Sequence, residues 1–102
     1  HELAKRQMRN FSGMMTFQTK QPGPEIAARM VKELEIIHYA VSLGHHRSLV
    51  YWIGTADIQA STFRHGPEQL QRYRDYAGDG VFRLSVGIEN PEDLIAELAR
   101  VL

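Results

Sequence analysis

The alternating stretch from Gly80 to Glu89 constrains the fold of this chain more than any other feature of the sequence. Its residues are Gly-Val-Phe-Arg-Leu-Ser-Val-Gly-Ile-Glu, with a large apolar side chain at every second position. A period of two is typical of a strand that turns one face toward a core. The predicted core face consists of Phe82, Leu84 and Val86. The opposite face carries Val81, Arg83 and Ser85.

Arg83 places a permanent positive charge in the middle of this predicted strand. A planar guanidinium can grip a carboxylate with two parallel hydrogen bonds, which makes Arg83 a candidate binding residue. The alternative is a surface charge in a loose salt bridge, and residue spacing alone favours it because arginines are mostly exposed. The pattern therefore singles out Arg83 without deciding between the two interpretations.

Three more strands and three helices are predicted around this strand. The strands cover Met14 to Lys20, Ile37 to Leu43 and Ser48 to Ile53. The helices begin at Pro24, Pro67 and Pro91, because proline is favoured at the first helical position. Asn90 is the predicted cap of the last helix, and no usable period runs from Gly54 to Phe63. The predicted inward stripe of the last helix is Leu94, Ile95, Leu98, Val101 and Leu102.

The predicted order is strand, helix, strand, strand, helix, strand, helix. This order favours an α+β fold, with a small antiparallel sheet of about four strands and helices packed on one face. A length of 102 residues suits one domain, and 43% hydrophobic residues suits a globular one.

Composition argues against several classes of function. Lysine plus arginine equals aspartate plus glutamate, at 12 each, so no net charge favours nucleic acid or a membrane surface. The chain has no cysteine, and its histidines lack the His-x-x-x-His spacing of a helical metal site. No apolar run approaches a membrane span, so a cytoplasmic location is expected. Because the chain begins at His1 rather than methionine, we expect it to be a piece of a longer protein.

Residues 82–95, Phe-Arg-Leu-Ser-Val-Gly-Ile-Glu-Asn-Pro-Glu-Asp-Leu-Ile, resemble the closing signature of the Cys/Met-metabolism family of pyridoxal-phosphate enzymes. That family includes cystathionine gamma-synthase, cystathionine gamma-lyase, methionine gamma-lyase and O-acetylhomoserine sulfhydrylase. Residues 1–8 and 11–17 are similar to the segment that enters the family's C-terminal domain, and residues 39–44 resemble its Val-Ser-Leu-Gly strand end. The resemblance therefore covers nearly the whole chain.

The resemblance implies a role for two residues. In the family, the arginine that matches Arg83 clamps the α-carboxylate of the amino-acid substrate, and a serine that we match to Ser42 lies beside that carboxylate. The alternative for Ser42 is a hydroxyl that satisfies nearby backbone at a strand end. No catalytic or cofactor-binding residue is expected in this chain, because the family's Schiff-base lysine lies in a large preceding domain. No metal-binding residue is expected either, because of the histidine spacing and the absence of cysteine.

The chain also departs from the family pattern. Many members continue Gly-x-Glu-Ser-Leu after the glycine that matches Gly44, where this chain has His45-His46-Arg47-Ser48-Leu49. Many have a histidine before Ser-Thr-Tyr, where this chain has Ala60 before Ser-Thr-Phe. The resemblance therefore leaves substrate preference open.

The resemblance implies that residues 1–10 end a linking helix from a missing large domain and that residues 11–102 form the C-terminal small domain. The full-length protein would be a pyridoxal-phosphate-dependent carbon–sulfur lyase or γ-replacement transferase, forming a homotetramer and holding its cofactor mainly in the missing domain. This piece alone would be inactive. The alternative is a free-standing ferredoxin-like module, as in ACT-type sensors, that binds an amino acid or pairs with another subunit.

Overall fold

The predicted Arg83 strand lies at the centre of the sheet. The computed structural model describes residues 1–102 and forms one four-stranded sheet in the order β1-β4-β3-β2. The strands are β1 (Met14–Phe17), β2 (His38–Tyr39), β3 (Leu49–Gly54) and β4 (Gly80–Ser85). The helices are α1 (Glu2–Gln7), α2 (Gly23–Glu33), α3 (Thr55–Ala60), α4 (Pro67–Ala77) and α5 (Pro91–Val101). None of these helices has the length and apolar character needed to cross a membrane.

The sheet is mixed rather than wholly antiparallel. Strand β4 runs antiparallel to both β1 and β3, as predicted, but β2 pairs with β3 in parallel. The predicted strand from Ile37 to Leu43 shrinks to two residues because the chain leaves the sheet after Ala40, whose N–H still bonds the Val50 carbonyl at 3.0 Å. A loop then returns the chain to the same end of the sheet, so β3 starts beside β2 and runs in the same direction. The prediction of four strands is confirmed, and the direction of one pair is corrected.

The core lies between one face of the sheet and helices α2 and α5. Phe82 is fully buried there, with its ring centroid 5.3 Å from that of Phe17 and 4.9 Å from that of Trp52. The buried cluster consists of Ile26, Ala27, Met30, Ile37, Val50, Phe82, Leu84, Leu94 and Val101. Burying large apolar side chains is the main driving force for folding, so this face of the sheet specifies the fold.

The indole of Trp52 fills a slot between two glycines. A Cβ atom on Gly23 would come within 2.1 Å of the Trp52 ring, and one on Gly80 within 2.5 Å. Gly80 also has a positive φ of 155°, which side chains rarely adopt. The start of α2 and the start of β4 are therefore fitted around this one ring.

The predicted cap of α5 is observed, but helix α3 was not predicted and the predicted buried stripe of α5 is only partly buried. Asn90 caps α5, its side-chain oxygen accepting the Glu92 N–H at 2.9 Å. Helix α3 was not predicted because it is short and buries only Thr55, which leaves no apolar period to detect. Within α5, Ile95 and Leu102 are exposed, against the predicted stripe, and Glu97 is buried instead.

Candidate functional site

Arg83 lies on the face of the sheet that α2 and α5 leave uncovered. Its strand neighbours Phe82 and Leu84 belong to the core, so the Arg83 side chain emerges on the opposite face. In register beside it are Thr16 of β1 and Tyr51 of β3. The Arg83 side chain is half-buried rather than free in solvent, and its Nη2 donates a hydrogen bond to the Val41 carbonyl.

The segment from Val41 to Ser48, here called the 41–48 loop, runs alongside the end of β4. Beyond the Arg83 contact, the Gly44 N–H donates to the Ser85 hydroxyl oxygen at 3.0 Å. Further on, the Ile88 N–H donates to the His46 carbonyl at 2.9 Å. The loop is therefore attached to β4 and its continuation at successive points.

Ser42 lies in the same loop, one residue after the carbonyl that holds Arg83. Its residue is exposed, and the hydrogen bonds of this part of the loop are made instead by the Val41 carbonyl and the Gly44 N–H. The structure thus brings the chain around Ser42 to the Arg83 guanidinium. It leaves the Ser42 hydroxyl on the surface rather than bonded to nearby backbone.

The aromatic ring of Tyr51 lies in register beside Arg83 on β3 and is paired with that of Tyr39 on β2. The Tyr51 and Tyr39 ring centroids are 5.4 Å apart, and the Tyr39 hydroxyl oxygen accepts the Trp52 N–H at 3.3 Å. Burial raises the pKa of Tyr39, with smaller raising effects from Tyr51 and Asp57, and the Trp52 N–H bond only partly offsets them. Tyr39, which packs against the core cluster, therefore stays a neutral phenol at physiological pH.

A second polar group, which sequence reasoning did not identify as a unit, closes the far end of the 41–48 loop. The buried Ser48 donates its N–H to Glu89 Oε1 at 2.7 Å and its hydroxyl to Glu89 Oε2 at 2.8 Å. The same hydroxyl oxygen accepts the Gly87 N–H at 2.9 Å. The available signal was the position of Glu89 inside the signature resembled by residues 82–95.

The environment of Glu89 favours its charged form. Burial on its own would raise the pKa of this carboxyl. Hydrogen bonds from the Ser48 N–H, the Glu89 N–H and the Ser48 hydroxyl, with the nearby charge of Arg47, outweigh that effect and lower the pKa. Glu89 is therefore a carboxylate at neutral pH and accepts both Ser48 donors.

Glu97 forms a comparable anchor on the covered side of the sheet. Its carboxylate accepts the N–H groups of Glu35, Ile36 and Ile37 at 2.5, 2.8 and 2.7 Å. Burial would raise the pKa of Glu97, but these three N–H groups and Arg100 lower it. Glu97 thus ties the chain that enters β2 to α5 and contributes to the fold rather than to the Arg83 face.

Arg83 offers the chemistry of anion binding. A guanidinium has five N–H donors, and the Val41 carbonyl takes one of them. The remaining donors of the planar group suit the two oxygens of a carboxylate. No group of three or more acidic or histidine side chains is arranged to hold a metal ion.

Comparison with known proteins identifies the class of this chain. The profile of the family described as Cys/Met metabolism PLP-dependent enzyme matches residues 1–102. The chain belongs to this family of pyridoxal-phosphate-dependent enzymes, and the resemblance noted from residues 82–95 is confirmed.

Two similar relatives are γ-lyases that act on amino acids, according to their names. The chain is 39% identical to canavanine gamma-lyase of Pseudomonas canavaninivorans and 38% identical to L-methionine gamma-lyase of Fusobacterium nucleatum subsp. polymorphum. Both alignments cover 100% of this chain and 24% of the relative, so the chain spans about a quarter of the length of the curated relatives it matches.

A solved structure supports the fold assignment. The crystal structure of cystathionine gamma-lyase from Lactobacillus plantarum complexed with L-serine superposes with a TM-score of 0.63 at 35% identity. The match covers 97% of this chain and 24% of that one. The α+β fold predicted from the sequence is therefore confirmed, and it matches about a quarter of the solved enzyme.

The residues of this chain do not by themselves fit a pyridoxal-phosphate site. Covalent attachment of this cofactor requires a lysine, and the lysines here are Lys5, Lys20 and Lys32. All three are exposed, with Lys5 on α1 and Lys32 on α2. We therefore assign no step of the cofactor's chemistry to residues of this chain.

Proposed function

We propose that this chain is the C-terminal domain of a pyridoxal-phosphate enzyme that eliminates or replaces the γ-substituent of an amino acid, and that Arg83 binds the substrate α-carboxylate. Residues 1–10 then end a linking helix, and residues 11–102 form the small domain. The observation that carries this proposal is the half-buried Arg83 guanidinium on the uncovered face of the sheet, steadied by the Val41 carbonyl.

The role of Arg83 follows from its geometry and charge. A guanidinium whose position is already restrained loses less conformational entropy when it binds, and a charge-assisted pair with a carboxylate is stronger than a neutral hydrogen bond. Holding the carboxylate fixes the orientation of the bonds at the substrate Cα, which is the main contribution a binding residue makes to rate. The cofactor, held by the remainder of the protein, supplies the electron sink.

Ser42 is proposed as a second, weaker ligand of the same carboxylate. Its exposed hydroxyl lies one residue beyond the carbonyl that holds Arg83. The substrate class is taken from the relatives, whose names specify γ-lyases of methionine and canavanine. Assembly as a homotetramer, a cytoplasmic location and inactivity of this piece alone belong to the same proposal.

The free-standing sensor module is not favoured by the sheet. A ferredoxin-like sandwich places its first and third strands side by side in the middle of the sheet. Here β1 pairs only with β4 and lies at one edge, while β3 and β4 occupy the centre. The order of elements along the chain suggested that fold, and the strand order does not match it.

The test is substitution of Arg83 in the full-length protein loaded with cofactor. Arg83→Ala should lower kcat/KM for the amino-acid substrate about 100-fold, since charged hydrogen bonds contribute about 1.5–3 kcal/mol. Arg83→Lys should recover part of the loss, and Arg72→Ala, on the exposed surface of α4, should have no effect. An unchanged kcat/KM for Arg83→Ala would refute the assignment.

Ser42→Ala is tested in the same assay. A hydrogen bond from a neutral donor predicts a rise in KM of about fivefold. An unchanged KM would remove Ser42 from the site and leave carboxylate binding to Arg83. Failure to detect the visible absorbance of bound pyridoxal phosphate in the full-length protein would reject the proposed class of enzyme altogether.

A further inference from the structure

The 41–48 loop is held by hydrogen bonds rather than by apolar packing. Every residue from Val41 to Arg47 is exposed, and Ser48 is the only buried one. A loop with little buried apolar surface takes its position from its polar attachments. Apart from the Ser48 carbonyl, which accepts the His38 N–H of β2 at 2.9 Å, those attachments lead to β4 and the residues that follow it.

The attachments follow one another in order along the two segments. Arg83 bonds the Val41 carbonyl, Ser85 accepts the Gly44 N–H, and Ile88 donates to the His46 carbonyl. The last attachment is the group made by Ser48, Gly87 and Glu89, with three hydrogen bonds of 2.7–2.9 Å. This group combines three partly buried hydrogen bonds, two of them to a carboxylate, so it is the most extensive attachment of the set.

The same loop supplies the carbonyl that restrains Arg83. If the contact between Ser48 and Glu89 is released, each remaining attachment of residues 41–47 to β4 and its continuation is a single hydrogen bond. The Val41 carbonyl then has more freedom, and the guanidinium loses a fixed partner. Glu89 is thus connected to Arg83 through the loop without touching it.

We propose that Glu89 is a positioning residue for the substrate-binding arginine: by holding both donors of Ser48 it fixes the 41–48 loop, whose Val41 carbonyl sets the orientation of Arg83. This inference rests on the proposed function of Arg83. It predicts that Glu89 affects recognition of a carboxylate specifically, whereas a residue that only stabilises the fold affects all ligands alike.

The experiment compares two inhibitors that differ by one carboxylate. L-Norleucine has no γ leaving group, and 1-aminopentane is the same molecule without its carboxylate. The relevant ratio is the inhibition constant of 1-aminopentane divided by that of L-norleucine, measured with the full-length protein loaded with cofactor. It reports recognition of the carboxylate separately from the general integrity of the site. Arg83→Ala should reduce this ratio about 100-fold, and Glu89→Gln about tenfold.

Glu92→Gln is the matched control for the Glu89 variant. Glu92 is exposed and lies three residues further along, in the first turn of α5, so its substitution should leave the ratio unchanged. Glu89→Gln keeps one acceptor for the Ser48 N–H but removes the acceptor for its hydroxyl. The thermal midpoint of each variant is measured in parallel.

A second pair of variants displaces the loop backbone while leaving the Glu89 carboxylate in the chain, although the Cβ added at Gly87 would also lie 2.6 Å from Glu89 Oε2. A Cβ atom on Gly87 would lie 2.4 Å from the His46 carbonyl oxygen and 2.6 Å from the Arg47 carbonyl carbon, so Gly87→Ala must displace the loop backbone. On the other side of β4, a Cβ atom on Gly13 would meet only the Val86 oxygen at 3.6 Å. Gly87→Ala should therefore lower the inhibitor ratio, and Gly13→Ala should not.

The outcomes separate this inference from the proposed function. A ratio that falls for Arg83→Ala, Glu89→Gln and Gly87→Ala supports both. A ratio that collapses for Arg83→Ala but is unchanged for the Glu89 and Gly87 variants, even with a lowered thermal midpoint, overturns the positioning role and leaves the arginine assignment intact. A ratio unchanged in Arg83→Ala rejects the arginine assignment and the inference with it.

Discussion

The two faces of strand β4 differ in what surrounds their central residues. On the covered face, Phe82 and Leu84 are buried against α2 and α5 and leave no space for a ligand. On the other face, one residue away along the same strand, Arg83 is half-buried and borders the exposed Thr16. Arg83 is the one residue of β4 that is not buried, and under the proposed function it meets the substrate while its neighbours hold the fold. This division predicts that stability and binding can be changed independently.

The largest expected difference between the faces is in stability. Phe82→Ala should lower the free energy of unfolding by about 4 kcal/mol, because removing a buried aromatic ring leaves a cavity. Arg83→Ala should change it by less than about 1 kcal/mol, as is usual for partly exposed positions. Urea unfolding of both variants measures the contrast. If the two losses were equal, Arg83 would belong to the folding core and the division between faces would fail.

On the covered side of the sheet, the Glu97 carboxylate is expected to stabilise the fold. Glu97→Gln should lower the free energy of unfolding by about 2 kcal/mol, because an amide cannot accept all three N–H groups of residues 35–37. Glu92→Gln, on the exposed surface of the same helix, is the control and should change it by less than about 0.5 kcal/mol. A loss for Glu97→Gln no larger than that for Glu92→Gln would show that the three N–H contacts of Glu97 contribute little to stability.

Acid should weaken both carboxylate anchors. The pKa values of Glu89 and Glu97 are lowered from 4.5 in the folded protein, so their contribution to stability is complete above about pH 4.5. It is lost as the pH falls through the folded pKa values, because the unfolded state binds protons first. Urea midpoints measured between pH 7 and pH 3 should fall less steeply for Glu97→Gln than for the unmodified chain. Identical slopes would contradict this linkage.

The smallest effect concerns the start of α5 on the covered side. Asn90→Ala should lower the free energy of unfolding by about 1 kcal/mol, since it removes the acceptor of the Glu92 N–H. Asn90→Asp keeps an acceptor and should be close to neutral. Thermal unfolding of the two variants distinguishes the loss of the cap from any other consequence of changing Asn90. A loss of the same size in both would argue against capping.

Local signals allowed parts of this structure to be predicted. The alternation around Arg83 predicted β4, and the Asn-Pro start of α5 predicted its cap, because both depend on residues close together in the chain. The family resemblance supplied the candidate role of Arg83, which strand alternation alone could not. Ser42 was selected in the same way, and its residue is exposed in the 41–48 loop.

Features that depend on distant residues could not be predicted. Glu97 reaches backbone groups about 60 positions away, and Ser48 and Glu89 are separated by 41 positions. The parallel pairing of β2 depends on where the 41–48 loop returns the chain, which no short pattern specifies. These polar contacts fix the position of the loop, and the apolar period of the sequence carries no information about them.

The placement of Trp52 has a practical consequence. It is the chain's single tryptophan, and its ring lies between Gly23 and Gly80 and beside Phe82, where α2, β3 and β4 meet. Its fluorescence therefore serves as a built-in optical reporter at a junction of three elements. Loosening of that junction, by denaturant or by a methyl group added at either glycine, would be visible as a change in emission without any introduced label.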